Sequence, residues 1–268
     1  MKKNFSIVVP TQKHYLNNLE CKVMNRIINL YSNKYDLYLI IPDDSPLHYE
    51  NYGFQNIYLN KKNFLNIHSY NRLLLNYNFY KLFDNYDYIL IHQLDAIILK
   101  DQLEHWCSKK YSYIGGPSYH KSLFKKKPIT PKFFCNGGLS LRNINDFLKV
   151  LESKKIFFNK CDKYILREFF KTSYFIKYIK LFYNYYKFYN SFDVENFMNN
   201  FFLNEDVFWT IFAKLFYANF NLPLNVMDCA NFSLSEGYQF YREKFNIQPF
   251  GIHGYKKENS DFFDALLI

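Results

Sequence analysis

The sequence predicts an α/β domain with a parallel sheet flanked by helices on both faces. Three observations carry this. Short apolar runs recur with the length and β-branched content of strands buried on both faces. Between them lie stretches whose apolar residues repeat at helical spacing. The 268 residues suffice for one large core, and no linker or internal repeat divides them, so residues 1–268 are expected to form a single domain.

Phe5-Ser6-Ile7-Val8-Val9-Pro10 reads as the first strand. A helix follows, with Leu16, Leu19, Val23, Ile27 and Leu30 on one stripe. DLYLIIP (36–42) and QNIYL (55–59) are the next strands. Residues 68–83 are expected to be helical, with Leu73, Leu74, Tyr77, Tyr80 and Leu82 as apolar positions. YDYILI (86–91) is then a central strand, and Gln93 and Asp95 fall at its carboxyl end, where ligands of parallel sheets bind.

The second part is less regular. Asp101 is expected to cap a helix reaching about Lys109, and residues 111–115 to form a short strand. Residues 120–132 are polar, basic and Pro-punctuated, and read as a mobile loop. Gly137-Gly138 reads as a turn, with a strand over 139–141 leaving it and a helix over 145–153 after that. Residues 154 to about 203 read as a helical insertion. A further helix starts near Glu205, burying Val207, Phe208, Ile211, Phe212 and Leu215, and an apolar strand over 247–252 leads to His253.

Composition narrows the function classes. Eight Gly and eight Pro argue against collagen-like or low-complexity character. Cys21, Cys107, Cys135, Cys161 and Cys229 show no C-x-x-C spacing, which argues against a disulfide framework or structural zinc and for a reducing compartment. The first strand is too short for a signal-peptide core, and no run approaches the ~20 apolar residues of a membrane span. The expectation is a cytoplasmic protein, peripheral at most on the inner face of the membrane.

A net charge of +10 calls for an anionic partner. Residues 154–190 hold nine Lys/Arg among many aromatics. Such a segment can lie on an anionic membrane, bind nucleic acid, or form a helical hairpin with its aromatics in the core. Membrane contact and the hairpin are preferred, and no nucleic-acid partner is expected. Oligomeric state is not legible.

Four elements carry chemistry. Asp95 can ligate Mg²⁺ or Mn²⁺, or cap a local turn. Asn136-Gly137-Gly138 lets the backbone approach a ligand, or is a plain turn. Ser140 and Arg142 can share one face, and Arg142 is a candidate phosphate or acceptor contact. Glu205 and Asp206 open a helix, where the dipole favours acids whatever their function, or one of them is a general base. His253, between Gly251 and Gly254, is a candidate metal ligand or a structural histidine. Thr11 ends the first strand, and Arg72 is a candidate phosphate contact or part of a solvated helix face.

The order strand-end Asp, Gly-turn, Glu-Asp and late His resembles glycosyltransferases of the GT-A fold, which implies an α/β, Rossmann-like, mixed, mainly parallel sheet flanked by helices. More closely, Ile89–Ala96, Tyr113–Pro117, Asn136–Arg142 and Glu205–Phe208 resemble a bacterial family of candidate glycosyltransferases long labelled only as a domain of unknown function. The resemblance implies Asp95 and His253 as metal ligands for Mn²⁺ or Mg²⁺, Asp206 as base with Glu205 beside it, and Asn136, Gly137 and Gly138 shaping the sugar site. The donor it implies is a nucleotide-diphosphate sugar, UDP-linked. The acceptor is a glycan or lipid-linked hydroxyl of capsule or lipooligosaccharide, and transfer is inverting. Gln93 departs from the pattern, standing where D-x-D has its first Asp. The rival readings are a metal-dependent phosphoester or pyrophosphate hydrolase and a non-enzymatic basic membrane- or nucleic-acid-binding module.

Overall fold

The computed structural model describes residues 3–45, 53–118, 134–153, 194–195, 198, 201, 203–234 and 238–254. The expected loop at 120–132 and the basic aromatic segment at 154–190 lie outside these residues.

β1 (Lys3–Pro10), β2 (Asp36–Pro42), β3 (Gln55–Leu59) and β4 (Tyr86–His92) form the parallel part of the main sheet. β1 lies at its centre, with Ile7 opposite Leu37 on one side and Leu90 on the other. Both faces of β1 and β4 are covered, which is why their sequences read as continuous apolar runs. β7 (Phe134–Asn143) joins β4 antiparallel, and β6 (Tyr113–Ser118) pairs with β7, giving the order β3-β2-β1-β4-β7-β6 among the described residues. A smaller sheet joins β5 (Ala96–Ile98), β9 (Gly251–His253) and β8 (Ser233–Leu234) in the order β5-β9-β8.

Helix α1 (Asn18–Tyr31) starts at a capping box in which Asn17 accepts from Glu20 N and Glu20 accepts from Asn17 N. It buries Val23, Met24, Ile27 and Tyr31. The single helix expected over 68–83 is two: α2 (Ile67–Leu73) and α3 (Tyr77–Lys81). The Leu74 carbonyl accepts from Tyr80 Oη (2.7 Å) and Trp209 Nε1 (3.2 Å), and Asn76 caps the new helix through Asn78 N. Tertiary donors thus replace the helical one at the break.

Helix α4 (Leu103–Ser108) begins after Gln102, and Asp101 instead pairs with Lys34, so the expected Asp101 cap is corrected. Helix α5 (Ile144–Leu151) is capped by Asn143 through Asp146 N. Helix α6 opens with Glu205–Val207, widens to a π-turn at Phe208–Phe212, where Ala213 N donates to Phe208 O, and closes with Ala213–Phe216. Its Trp209 stacks on Phe147 with centroids 3.8 Å apart. The sequence reading did not foresee α7 (Val226–Phe232), α8 (Tyr238–Phe245), β5 or β8. The strand expected over 247–252 is the shorter β9. No helix among the described residues is long and apolar enough to cross a membrane.

Candidate active site

The carboxyl ends of β1 and β4 leave the sheet on the same edge. Beyond them lies a cavity of about 450 Å³, lined by Thr11, Lys13 and Glu20, by Phe64, Ile67 and Tyr70, and by Gln93 and Asp95. Thr11 is nearly buried, and its Oγ1 accepts from Lys13 N (3.1 Å). Glu20, whose side chain is 1% exposed, pairs with Lys13. The sequence reading missed Tyr70, Ile67 and Glu20. The capping box of Asn66 and Ser69 fixes the start of α2 and sets Ile67 and Tyr70 three residues apart on one face, a signal present in the sequence.

At the end of β4, Gln93 N donates to Gly138 O (2.8 Å) and Gly254 N donates to Asp95 O (2.8 Å). Three distant segments are thereby tied together. Gly254 adopts φ +71°, a conformation that favours glycine. His253 Nε2 lies 3.1 Å from Gln93 Oε1 and 3.3 Å from Asp95 Oδ1. Gln93 Nε2 in turn donates to Tyr70 Oη (3.3 Å). The Asp95 side chain is 39% exposed. Next to this group His92 is fully buried, and its ring nitrogens have no hydrogen-bond partner among the described residues. Burial lowers its pKa to about 4, leaving the imidazole neutral.

Gly137 and Gly138 are not a turn. They lie inside β7 without positive φ, and the expectation is corrected. Their requirement is steric. A Cβ on Gly138 would stand 2.0 Å from His253 Nε2, and one on Gly137 2.2 Å from Glu205 Oε1. Asn136 Oδ1 accepts from Gly138 N (2.9 Å) and holds this stretch in place.

Arg142 is also corrected. It is fully buried, donating to Glu205 Oε1 (2.9 Å), Tyr80 Oη (2.7 Å), Ser140 Oγ (3.0 Å) and Gly137 O (3.3 Å). Its guanidinium is engaged by protein groups and fixes Glu205. Arg72 is exposed on α2 outside the cavity lining, while Tyr70 and Asn71 beside it face inward. Asn71 Oδ1 accepts from Glu205 N (3.4 Å), and its amide donates to Asn204 Oδ1 (3.2 Å).

Glu205 and Asp206 therefore sit in different surroundings. Burial pushes the Glu205 carboxyl up to about 7 against the pull of Arg142. Burial also raises Asp206, to about 6, while the N–H groups of Val207 and Gly137 pull it back. Asp206 is the more accessible of the two.

The donors around His253 Nε2 are a carboxylate oxygen, an amide oxygen and an imidazole nitrogen. That set suits Mn²⁺ or Mg²⁺ if a diphosphate supplies the remaining oxygens. No cluster of three His, Cys, Asp or Glu able to hold a metal occurs among the described residues.

A family model described as "Protein of unknown function (DUF5672)" matches residues 53–253. No curated protein matches the chain in sequence. Among solved structures, the galactosyltransferase LgtC in complex with donor and acceptor sugar analogs matches with a TM-score of 0.53 and 12% identity, over 98% of this chain and 95% of that one. Mouse xyloside xylosyltransferase 1 matches with a TM-score of 0.48 and 10% identity, over 94% and 97%. The likeness to LgtC identifies the fold as GT-A.

Proposed function

The chain belongs to the DUF5672 family and has the GT-A fold, and from these we propose that it is a glycosyltransferase. It moves a sugar from a nucleotide-diphosphate donor, UDP-linked, to a hydroxyl of a bacterial capsule or lipooligosaccharide. The observation that carries this reading is the meeting of His253 with Gln93 and Asp95, which line the strand-end cavity, while Asp206 accepts from the N–H of Gly137, next to the glycine that backs onto His253. That the structural neighbour LgtC was solved with donor and acceptor sugar analogs supports it.

Asp95 and His253, with Gln93 beside them, would hold Mn²⁺ or Mg²⁺, which offsets charge on the departing diphosphate when bound. Thr11 and Tyr70 line the cavity that takes the nucleotide. Asp206 is the general base: it is ionised above about pH 6 and removes the acceptor proton as the acceptor oxygen bonds to the anomeric carbon and the bond to diphosphate breaks. Attack opposite the leaving group inverts that carbon. Glu205 is tied to Arg142 and positions the turn that carries Asp206.

Thermal unfolding with UDP, GDP, CDP, ADP and CMP, each with and without Mn²⁺, tests this. A ligand at about a hundred times its dissociation constant stabilises the fold by about 2.7 kcal/mol. A shift from one nucleotide that needs Mn²⁺ is expected, and no shift from any of them would sink the reading. A hydrolase would consume the nucleotide sugar at full rate without an acceptor.

A further inference from the structure

We propose that Gln93 is an oxygen donor to the divalent cation of this site and that Tyr70 is the positioning residue that makes it one. The proposal rests on the glycosyltransferase reading above.

A carboxylate offers an oxygen whichever way it is turned. An amide has one oxygen and one NH₂, so it serves a cation in only one of two orientations. In this chain Nε2 of Gln93 donates to Tyr70 Oη (3.3 Å), and that bond turns Oε1 toward His253 Nε2 (3.1 Å), the nitrogen Asp95 Oδ1 also faces (3.3 Å). Reversed, the amide would aim N–H groups at the cation.

Tyr70 is suited to this task. It stands on α2, whose first turn is fixed by the Asn66–Ser69 capping box. Its hydroxyl oxygen accepts from the amide of Gln93 at 3.3 Å. It also lines the cavity, leaving its own proton available to a ligand oxygen there.

One consequence concerns charge. Gln93 adds an oxygen without adding a negative charge, so Asp95 is the lone carboxylate of the set. Cation and diphosphate then depend on one another, and the nucleotide-free chain binds the cation weakly.

The test is Mn²⁺ titration of the full chain with UDP present, read by the electron paramagnetic resonance signal of free Mn²⁺ against a blank of UDP alone, with UDP binding without Mn²⁺ followed separately by thermal shift. Tyr70→Phe is expected to weaken Mn²⁺ binding on the order of tenfold, as loss of a ligand's orienting partner does. Gln93→Glu is expected to tighten it, and adding Tyr70→Phe to Gln93→Glu to change little, because a carboxylate needs no orienting. Gln93→Leu keeps the Tyr70 hydroxyl and tests the oxygen donor alone. It should lose as much as Tyr70→Phe, and the double variant no more.

An equal Tyr70→Phe penalty in all three backgrounds would overturn the proposal, as would no penalty in any. Loss of Mn²⁺ binding by none of the Gln93 variants would overturn it even if Tyr70→Phe failed to fold. Should UDP bind the wild type without Mn²⁺, and Mn²⁺ not bind at all, this proposal falls while the donor site stands. If neither binds, the glycosyltransferase reading falls with it.

Discussion

Gly137 and Gly138 are consecutive residues of one strand, yet they back onto two unlike regions. Gly137 faces the Arg142–Glu205 pair, whose side chains are 0% and 5% exposed. Gly138 faces the His253–Asp95 pair, at 14% and 39%. Both pairs set a carboxylate against a nitrogen at similar distance, 2.9 and 3.3 Å. Arg142 has its donors filled by protein groups, so its pair holds the fold. Asp95 keeps solvent-facing positions, so its pair can take a ligand. Burial, rather than the presence of charge, separates a structural ion pair from a candidate site.

The sharpest way to break this contrast is at Arg142. Arg142→Met leaves Glu205 buried without its cation, and removing one member of a buried pair costs about 3–5 kcal/mol. Urea unfolding should show that loss. Arg142→Met combined with Glu205→Met should be the more stable of the two, since the uncompensated charge goes with it.

The glycines divide the same way. Each alanine adds a methyl where no space exists, an overpacking cost of about 1–3 kcal/mol. The functional consequences should differ. Gly138→Ala displaces His253 and should abolish the Mn²⁺-dependent nucleotide shift. Gly137→Ala presses on Glu205 and should keep that shift in whatever fraction stays folded. Loss of the shift in both, at equal stability, would erase the distinction.

Asp206, beside the Arg142–Glu205 pair, makes that region sensitive to pH. Its carboxyl titrates near 3.8 unperturbed and about 6 in the folded chain, so the folded state holds the extra proton between those values. This contribution to stability is full below about pH 4 and is lost as pH rises through 6. Activity runs the other way, because the base must be ionised. Below pH 6, kcat/KM should fall about tenfold per pH unit. Urea unfolding from pH 4 to 7 should show wild type losing stability relative to Asp206→Asn over that window. Arg142 and Glu205 face the same group, so Arg142→Met should move the acid limb upward if it folds.

What the sequence disclosed follows from the range of the interactions. β2 was legible residue for residue, and β1 and β4 nearly so, because buried parallel strands write their burial into consecutive residues. β3 was legible too, although this edge strand buries none of its residues. The start of α6 at Glu205 was legible too. The glycine pair was misread as a turn because its cause lies at Glu205 and His253, far along the chain. Arg142 looked like a ligand contact for the same reason: Tyr80, Ser140 and Glu205 meet around it only in three dimensions. The break between α2 and α3 depends on Tyr80 and Trp209 reaching Leu74 O. Asn66 and Asn76 did mark both helix starts locally, and those caps were overlooked.

The smallest expected change in stability belongs to Asp95. Asp95→Asn keeps the side chain's shape and the backbone bond from Gly254 N to Asp95 O, and it weakens a partly exposed pair, typically worth about 0–1 kcal/mol. Unfolding without ligand should therefore barely move. The Mn²⁺-dependent nucleotide shift, about 2.7 kcal/mol at saturating ligand, should disappear. A stability loss like that of Arg142→Met would make Asp95 structural and leave His253 without a functional partner. A small loss with the shift intact would send the cation elsewhere. Only a small loss with the shift gone fits a carboxylate kept open for a ligand.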